Sequence, residues 1–89
     1  MRTLAFALLA ASVLLPTLAL AEEFDNICAW ALADRGVERR TDCAVNWKDS
    51  ETGKTYCFSN EQTKMLFVQD PEENIPKAED AFAKLRKKQ

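Results

Sequence analysis

The stretch Cys43-Ala44-Val45-Asn46-Trp47-Lys48, then Asp49-Ser50-Glu51-Thr52-Gly53, then Lys54-Thr55-Tyr56-Cys57-Phe58 decides the fold. In its first part Cys43, Val45 and Trp47 alternate with Ala44, Asn46 and Lys48, the two-residue period of a strand. The middle part has the composition of a turn, and the last is rich in residues that favour a pleated surface. Together they predict a two-stranded antiparallel hairpin. Pairing Lys48 with Lys54 sets Val45 opposite Cys57, with Cys43 diagonal to Cys57 on the same face. Diagonal neighbours lie about 7 to 8 Å apart at the backbone, so a direct Cys43–Cys57 disulfide would be strained in that register. A shared metal ion, or a third thiol from Cys28 laid over that face, suits the geometry better. A shift of one residue in the pairing undoes the argument.

Working outward, Ser59-Asn60-Glu61-Gln62 matches a capping box, with Ser59 as cap and Gln62 reaching back, so a helix is expected from there. Thr63, Leu66, Phe67 and Asp70 share one face of it. Asp70-Pro71 ends it, because the residue before proline is pushed out of helical geometry. Pro76 suits the first turn of a last helix whose apolar stripe is Ala78, Phe82 and Leu85. On the N-terminal side, Phe24, Ile27, Cys28, Ala31 and Leu32 recur at helical spacing, with Asp25 as expected cap and Gly36 as the left-handed residue after the last turn. Cys28 then points inward. The expected architecture is a small single α+β domain, the hairpin packed with two to three short helices, with Phe58, Phe67 and Phe82 central to its core.

The N-terminus has a different character. Arg2 precedes the apolar run Leu4 to Leu15, and Pro16 precedes Ala19-Leu20-Ala21, the small-x-small pattern a signal peptidase needs. Residues 1–21 are therefore expected to be a signal peptide, and 22–89 the working domain, periplasmic or secreted after cleavage near Ala21. Glu22-Glu23 directly after Ala21 favours cleavage over a retained anchor, which needs about 20 apolar residues. Cys28 lies too far past Ala21 for a lipoprotein, and no later segment is apolar enough to span a membrane. Sixty-eight residues form one domain, of a size that calls for support beyond its hydrophobic core. Eleven basic residues then face 14 acidic ones, a balance that argues against a nucleic-acid partner. The basic run Lys84 to Lys88 reads as a helix C-terminus meeting its own dipole.

The three cysteines, Cys28, Cys43 and Cys57, are the chemically informative residues, and the chain has no histidine. That excludes a Cys-His pair, a serine triad with a histidine base and every histidine-containing zinc site. A thiol oxidoreductase would show Cys-x-x-Cys, which is absent. The acidic pairs Glu22-Glu23 and Glu72-Glu73 are solvated charges at element ends, without the polar partner that acid-base catalysis needs. A non-catalytic protein is expected.

Gly53-Lys54-Thr55-Tyr56-Cys57-Phe58-Ser59, followed by Phe67 and Asp70-Pro71-Glu72, resembles the YHS domain. Ile27-Cys28-Ala29-Trp30 is similar to that family's opening Val-Cys-Gly-Met element, so the resemblance runs from Ile27 to Ile75. It implies a domain related to the treble-clef-like, often metal-associated TRASH modules, several of which occur beside copper or heavy-metal transport. Cys28 matches the family's first cysteine. The cysteine just after the aromatic strand falls at Ser59 and the next at Thr63, so both are missing, and Trp30 replaces the methionine. A four-thiolate zinc knuckle is thereby excluded, since only three thiols exist.

Two functions stay open at this stage. In one, Cys28, Cys43 and Cys57 hold a soft ion, for which Cu(I) is the best match to three thiolates, and the domain binds or hands over metal to a transporter or periplasmic protein. Met65 could add a thioether, though a helical methionine is more often packing, and Asp42 could complete a site only after rearrangement. In the other, a disulfide from Cys28 to Cys43 or Cys57 contributes about 2 to 4 kcal/mol and the third cysteine is a small buried hydrophobe. The domain is then an accessory or interaction module, with Trp30 and Trp47 either contacting the partner or filling the core.

Overall fold

A computed structural model describes residues 22–88. The expected signal peptide, residues 1–21, lies outside the described residues. The elements run α1 (Ala29–Arg35), β1 (Val45–Lys48), β2 (Thr55–Phe58), α2 (Glu61–Val68) and α3 (Pro71–Lys87), preceded by a single tight turn at Glu23–Asn26. This is a small α+β domain with a two-stranded antiparallel sheet and three helices. Among the described residues no helix is long and apolar enough to cross a membrane.

The hairpin forms where expected, but its register is one residue off the expected pairing. Val45 faces Phe58, Asn46 faces Cys57, Trp47 faces Tyr56 and Lys48 faces Thr55. The turn sets this. Asp49 N–H donates to the Lys54 carbonyl at 2.8 Å and Gly53 N–H to the Asp49 carbonyl at 2.7 Å. The Asp49 carboxylate accepts from Glu51 N–H and the Thr52 hydroxyl. Gly53 takes φ 78°, a conformation open to glycine at little cost. Because side chains alternate, Val45, Trp47, Tyr56 and Phe58 share one face and Asn46 and Cys57 the other.

The first face builds the core. Tyr56, Phe58 and Phe67 are all at most 1% exposed, and Phe67 contacts both Tyr56 (5.6 Å between ring centroids) and Phe58 (5.3 Å). Trp47 stacks on Tyr56 at 5.9 Å, so it belongs to the edge of this cluster. Burial pushes the Tyr56 phenol up to about 12, with Glu23, Glu79 and Asp49 adding to it. Phe82 packs on Phe24 at 5.3 Å but is only partly buried, so it closes the rim and is not the central residue the sequence led us to expect.

Helix starts and stops differ from expectation for identifiable reasons. The capping box at α2 is formed one residue later, by Asn60 and Thr63. Thr63 N–H donates to Asn60 Oδ1 at 2.9 Å and Asn60 N–H to the Thr63 hydroxyl at 3.3 Å. The last helix begins at Pro71, not near Pro76. The Asp70 carboxylate caps it by accepting from Glu73 N–H, and Pro71 sits at the first helical position, where its missing N–H costs nothing. Pro76 lies inside the helix on its exposed side. Asn74, 7% exposed, clamps the corner between α2 and α3 by donating to the Phe67 carbonyl at 3.0 Å.

Helix α1 begins at Ala29, and the segment before it is not helical. Phe24, Asp25 and Asn26 have φ of 61°, 53° and 65°, the left-handed region that costs an L-residue about 1 to 2 kcal/mol. Tertiary contacts hold them there. Phe24 is buried against Tyr56 and Phe82, Asp25 pairs with Arg86 at 2.9 Å, and the Asn26 carbonyl accepts from both Thr41 N–H and the Thr41 hydroxyl. Asp25 is thus an ion-pair partner of α3 and not a helix cap. Gly36 does end α1 in the expected left-handed conformation, with Gly36 N–H bonded to the Leu32 carbonyl and Val37 N–H to the Ala31 carbonyl. A Cβ there would meet Ala81 at an ordinary 3.9 Å, so φ 67°, not space, calls for glycine.

Phe67→Ala and Phe58→Ala are each expected to cost about 3 to 5 kcal/mol in urea denaturation, enough to unfold much of the population. Phe82→Ala is expected to cost clearly less, and equal losses at all three positions would contradict this packing.

Candidate functional site

The three cysteines surround the C-terminal half of β2. Cys57 is fully buried although it lies on the face opposite the aromatic core. Two things cover it. The extended pair Ile27-Cys28 runs along the edge of β2 away from β1, with Cys28 bridged in parallel to Cys57 and Ile27 in antiparallel to Arg40. Cys28 N–H donates to the Arg39 carbonyl at 2.7 Å, which ties the next segment on. Over the face itself lies Cys43.

Cys43 and Cys57 form a disulfide, with Cα atoms 4.7 Å apart, and Cys28 is the free thiol. This corrects the expected geometry, in which those two were held apart and any disulfide used Cys28. Cys43 is not the first residue of a straight strand. It stands at φ 63°, in the left-handed region, and the strand begins two residues later. Local bonds shape that bend: Cys43 N–H donates to the Thr41 hydroxyl, Ala44 N–H to the Asp42 carboxylate, and the Asn46 side-chain amide to the Cys43 carbonyl at 2.8 Å. With the register shifted and the chain folded back, Cys43 comes within reach of Cys57. Asn26 Oδ1 lies 3.8 Å from the Cys57 sulfur.

Cys28 occupies the cap position of α1 and is 1% exposed. It lines a cleft of about 410 Å³ together with Trp30, Arg35, Arg39, Ser59 and Thr63. Burial pushes the thiol up, but hydrogen bonds to the charged form outweigh it, from the Ala31 backbone, the Ser59 side chain and the backbones of Ser59 and Trp30. The net direction is down from the ordinary thiol value. The cleft therefore holds one sulfur with an enhanced tendency to ionise, two hydroxyls, the Asn60 amide, two guanidinium groups and the Asp34 carboxylate, which lies 3.6 Å from Arg35 Nε.

The soft-metal set is not assembled in this oxidised form. Among the described residues no group of three or more Cys, Asp, Glu or His side chains converges as metal ligands. One thiol with the neutral hydroxyls of Ser59 and Thr63 is a poor match to Cu(I), which favours several sulfurs. Met65 is 63% exposed and faces a separate depression with Lys64, Val68 and Gln69, and Asp42 serves the bend before β1. Reading the residues alone missed the cleft's arginines. Arg35 stands seven residues after Cys28, at helical spacing, a signal that could have found it, whereas Arg39 carries none and is brought in by the path of residues 36–40 beside Cys28. Comparison with family models, curated proteins and solved structures returns no match.

Because its folded value is lowered, Cys28 is expected to gain thiolate absorbance at lower pH in the native than in the urea-unfolded protein. Its contribution to stability should then be present at pH above the ordinary thiol value and fall away as pH drops through the folded value. The stability difference between the wild type and Cys28→Ser, followed across that window, should widen as pH rises. A difference independent of pH would contradict the lowered value.

Proposed function

We propose that this chain is an exported, non-catalytic accessory domain of YHS-like type, in which a disulfide takes over the stabilising task and the family's ligand position has become a one-thiol cleft. The observation that carries the reading is the Cys43–Cys57 disulfide with Cys28 left separate. A domain of this size gains from such a closure: a loop of 14 residues corresponds to about 3 kcal/mol. The same bond removes two of the three thiols that a copper site would use. In support of the YHS resemblance, the three positions matched to that family's cysteines, Cys28, Ser59 and Thr63, line one cleft. Cys28 is far in sequence from the other two, and its convergence with them is what the family's ligand pattern requires.

On this reading the exported protein contains one titratable thiol after denaturation without reductant and three after reduction. Cu(I) added to the oxidised protein is not held tightly. Three thiols in the protein as isolated, with tight uptake of one Cu(I), would establish the soft-metal function in its place. The family resemblance has its own test. Ser59→Cys combined with Thr63→Cys should create, with Cys28, a three-thiolate site that binds Cd(II), seen as a sulfur-to-metal charge-transfer band absent from the wild type. No band in a folded double variant would count against the YHS-like geometry.

A further inference from the structure

We propose that Cys28, Cys43 and Cys57 form an internal exchange relay, in which the Cys28 sulfur displaces Cys43 from Cys57 and moves the free thiol from a buried to a part-exposed position. The proposal rests on the disulfide reading above, because it begins from the Cys43–Cys57 bond.

Both possible partners of Cys57 are already adjacent to it. Cys43 is bonded to it, and Cys28 is its paired neighbour on the other edge of β2. Neighbouring strands lie about 4.8 Å apart, inside the window of roughly 4.4 to 6.8 Å between Cα atoms that a disulfide spans. Residues paired across neighbouring strands send their side chains to the same face, so Cys28 and Cys43 approach Cys57 on one side of the sheet. Ser59 agrees with this placement: it lies two residues beyond Cys57, on the same side of the alternation, and lines the Cys28 cleft.

The step balances without any outside oxidant or reductant. Cys28 loses its proton and its thiolate attacks the Cys57 sulfur. A Cys28–Cys57 bond forms, the Cys43–Cys57 bond breaks, and Cys43 leaves as a thiolate that takes up a proton. One disulfide and one thiol exist before and after. Cys43 stands in the left-handed region, held by its disulfide together with the local bonds of Thr41, Asp42 and Asn46, and the exchange removes one of those restraints. Cys28 is 1% exposed whereas Cys43 is part-exposed on the loop before β1, so the relay moves a thiol toward the surface.

The test uses the full exported wild-type protein in its oxidised form, without reductant. It is incubated at mildly alkaline pH with an alkylating agent, sampled over time, and its disulfide and labelled cysteine are mapped by mass spectrometry. Label accumulating on Cys43, together with a Cys28–Cys57 linked peptide, is the expected result, at a rate independent of protein concentration. Cys28→Ser should reduce Cys43 labelling at least tenfold, and Cys43→Ser, given oxidised glutathione as the oxidant and no alkylating agent, should form a Cys28–Cys57 disulfide with its circular dichroism unchanged. Label confined to Cys28 beside an intact Cys43–Cys57 bond overturns the relay, as does a rate proportional to protein concentration. The thiol count stays at one in both cases, so failure of the relay is distinct from failure of the disulfide reading, which a count of three would reveal.

Discussion

Strand β2 has to satisfy two opposed faces with four residues. Tyr56 and Phe58 point into the aromatic cluster while Cys57, between them, points the other way, and all three are at most 1% exposed. A strand buried on both faces and paired along both edges is the constraint on which the other elements depend. It requires β1 on one edge, the Ile27-Cys28 segment on the other, α1 and α2 packed against it with α3 behind α1, and a cover for Cys57. Asn26, at the end of the left-handed turn, and Cys43, at its bend, supply that last element. Both are non-glycine residues where the backbone is strained, and both are held by contacts to β2 or to its neighbours.

That double burial explains why a disulfide suits this domain. With 68 residues after the expected cleavage, the aromatic face alone is a small core. Closing the second face with a covalent bond stabilises it without further apolar residues, and it links the loop before β1 to the centre of the sheet. The cost is local, a left-handed Cys43. The remaining thiol residue is then placed by backbone pairing beside the same strand, which is how three cysteines unevenly spaced in sequence become neighbours along β2.

Several elements were legible in the residues. The hairpin alternation, the left-handed Gly36 and the aromatic contributions of Phe58 and Phe67 follow from local pattern and agree with the structure. Where the reading was one residue off, two locally acceptable solutions competed. Ser59 and Asn60 are both good helix caps, and Asn60 wins because Thr63 can return the bond. Lys48 can face Lys54 or Thr55, and the bonds that close the Asp49–Gly53 turn choose Thr55. Pro76 resembled a helix start, yet Asp70 with Pro71 offered a better one five residues earlier. Phe24 to Leu32 carried helical spacing, but Phe24 could reach Tyr56 and Phe82 only from a non-helical turn.

The amino-acid sequence by itself determined the class of the protein: an α+β hairpin domain, three thiols without a histidine, and therefore a narrow choice of chemistry. These follow from composition and from periods of two and 3.6 residues, which act over a few positions. Only the tertiary structure decided which cysteines are bonded and which one stands in a cleft. The physical reason is that side-chain direction in a strand reverses with each residue, so a one-residue shift in pairing and a single left-handed φ at Cys43 redirect a sulfur across the sheet. Neither is encoded in spacing, since both depend on contacts between segments far apart in the chain.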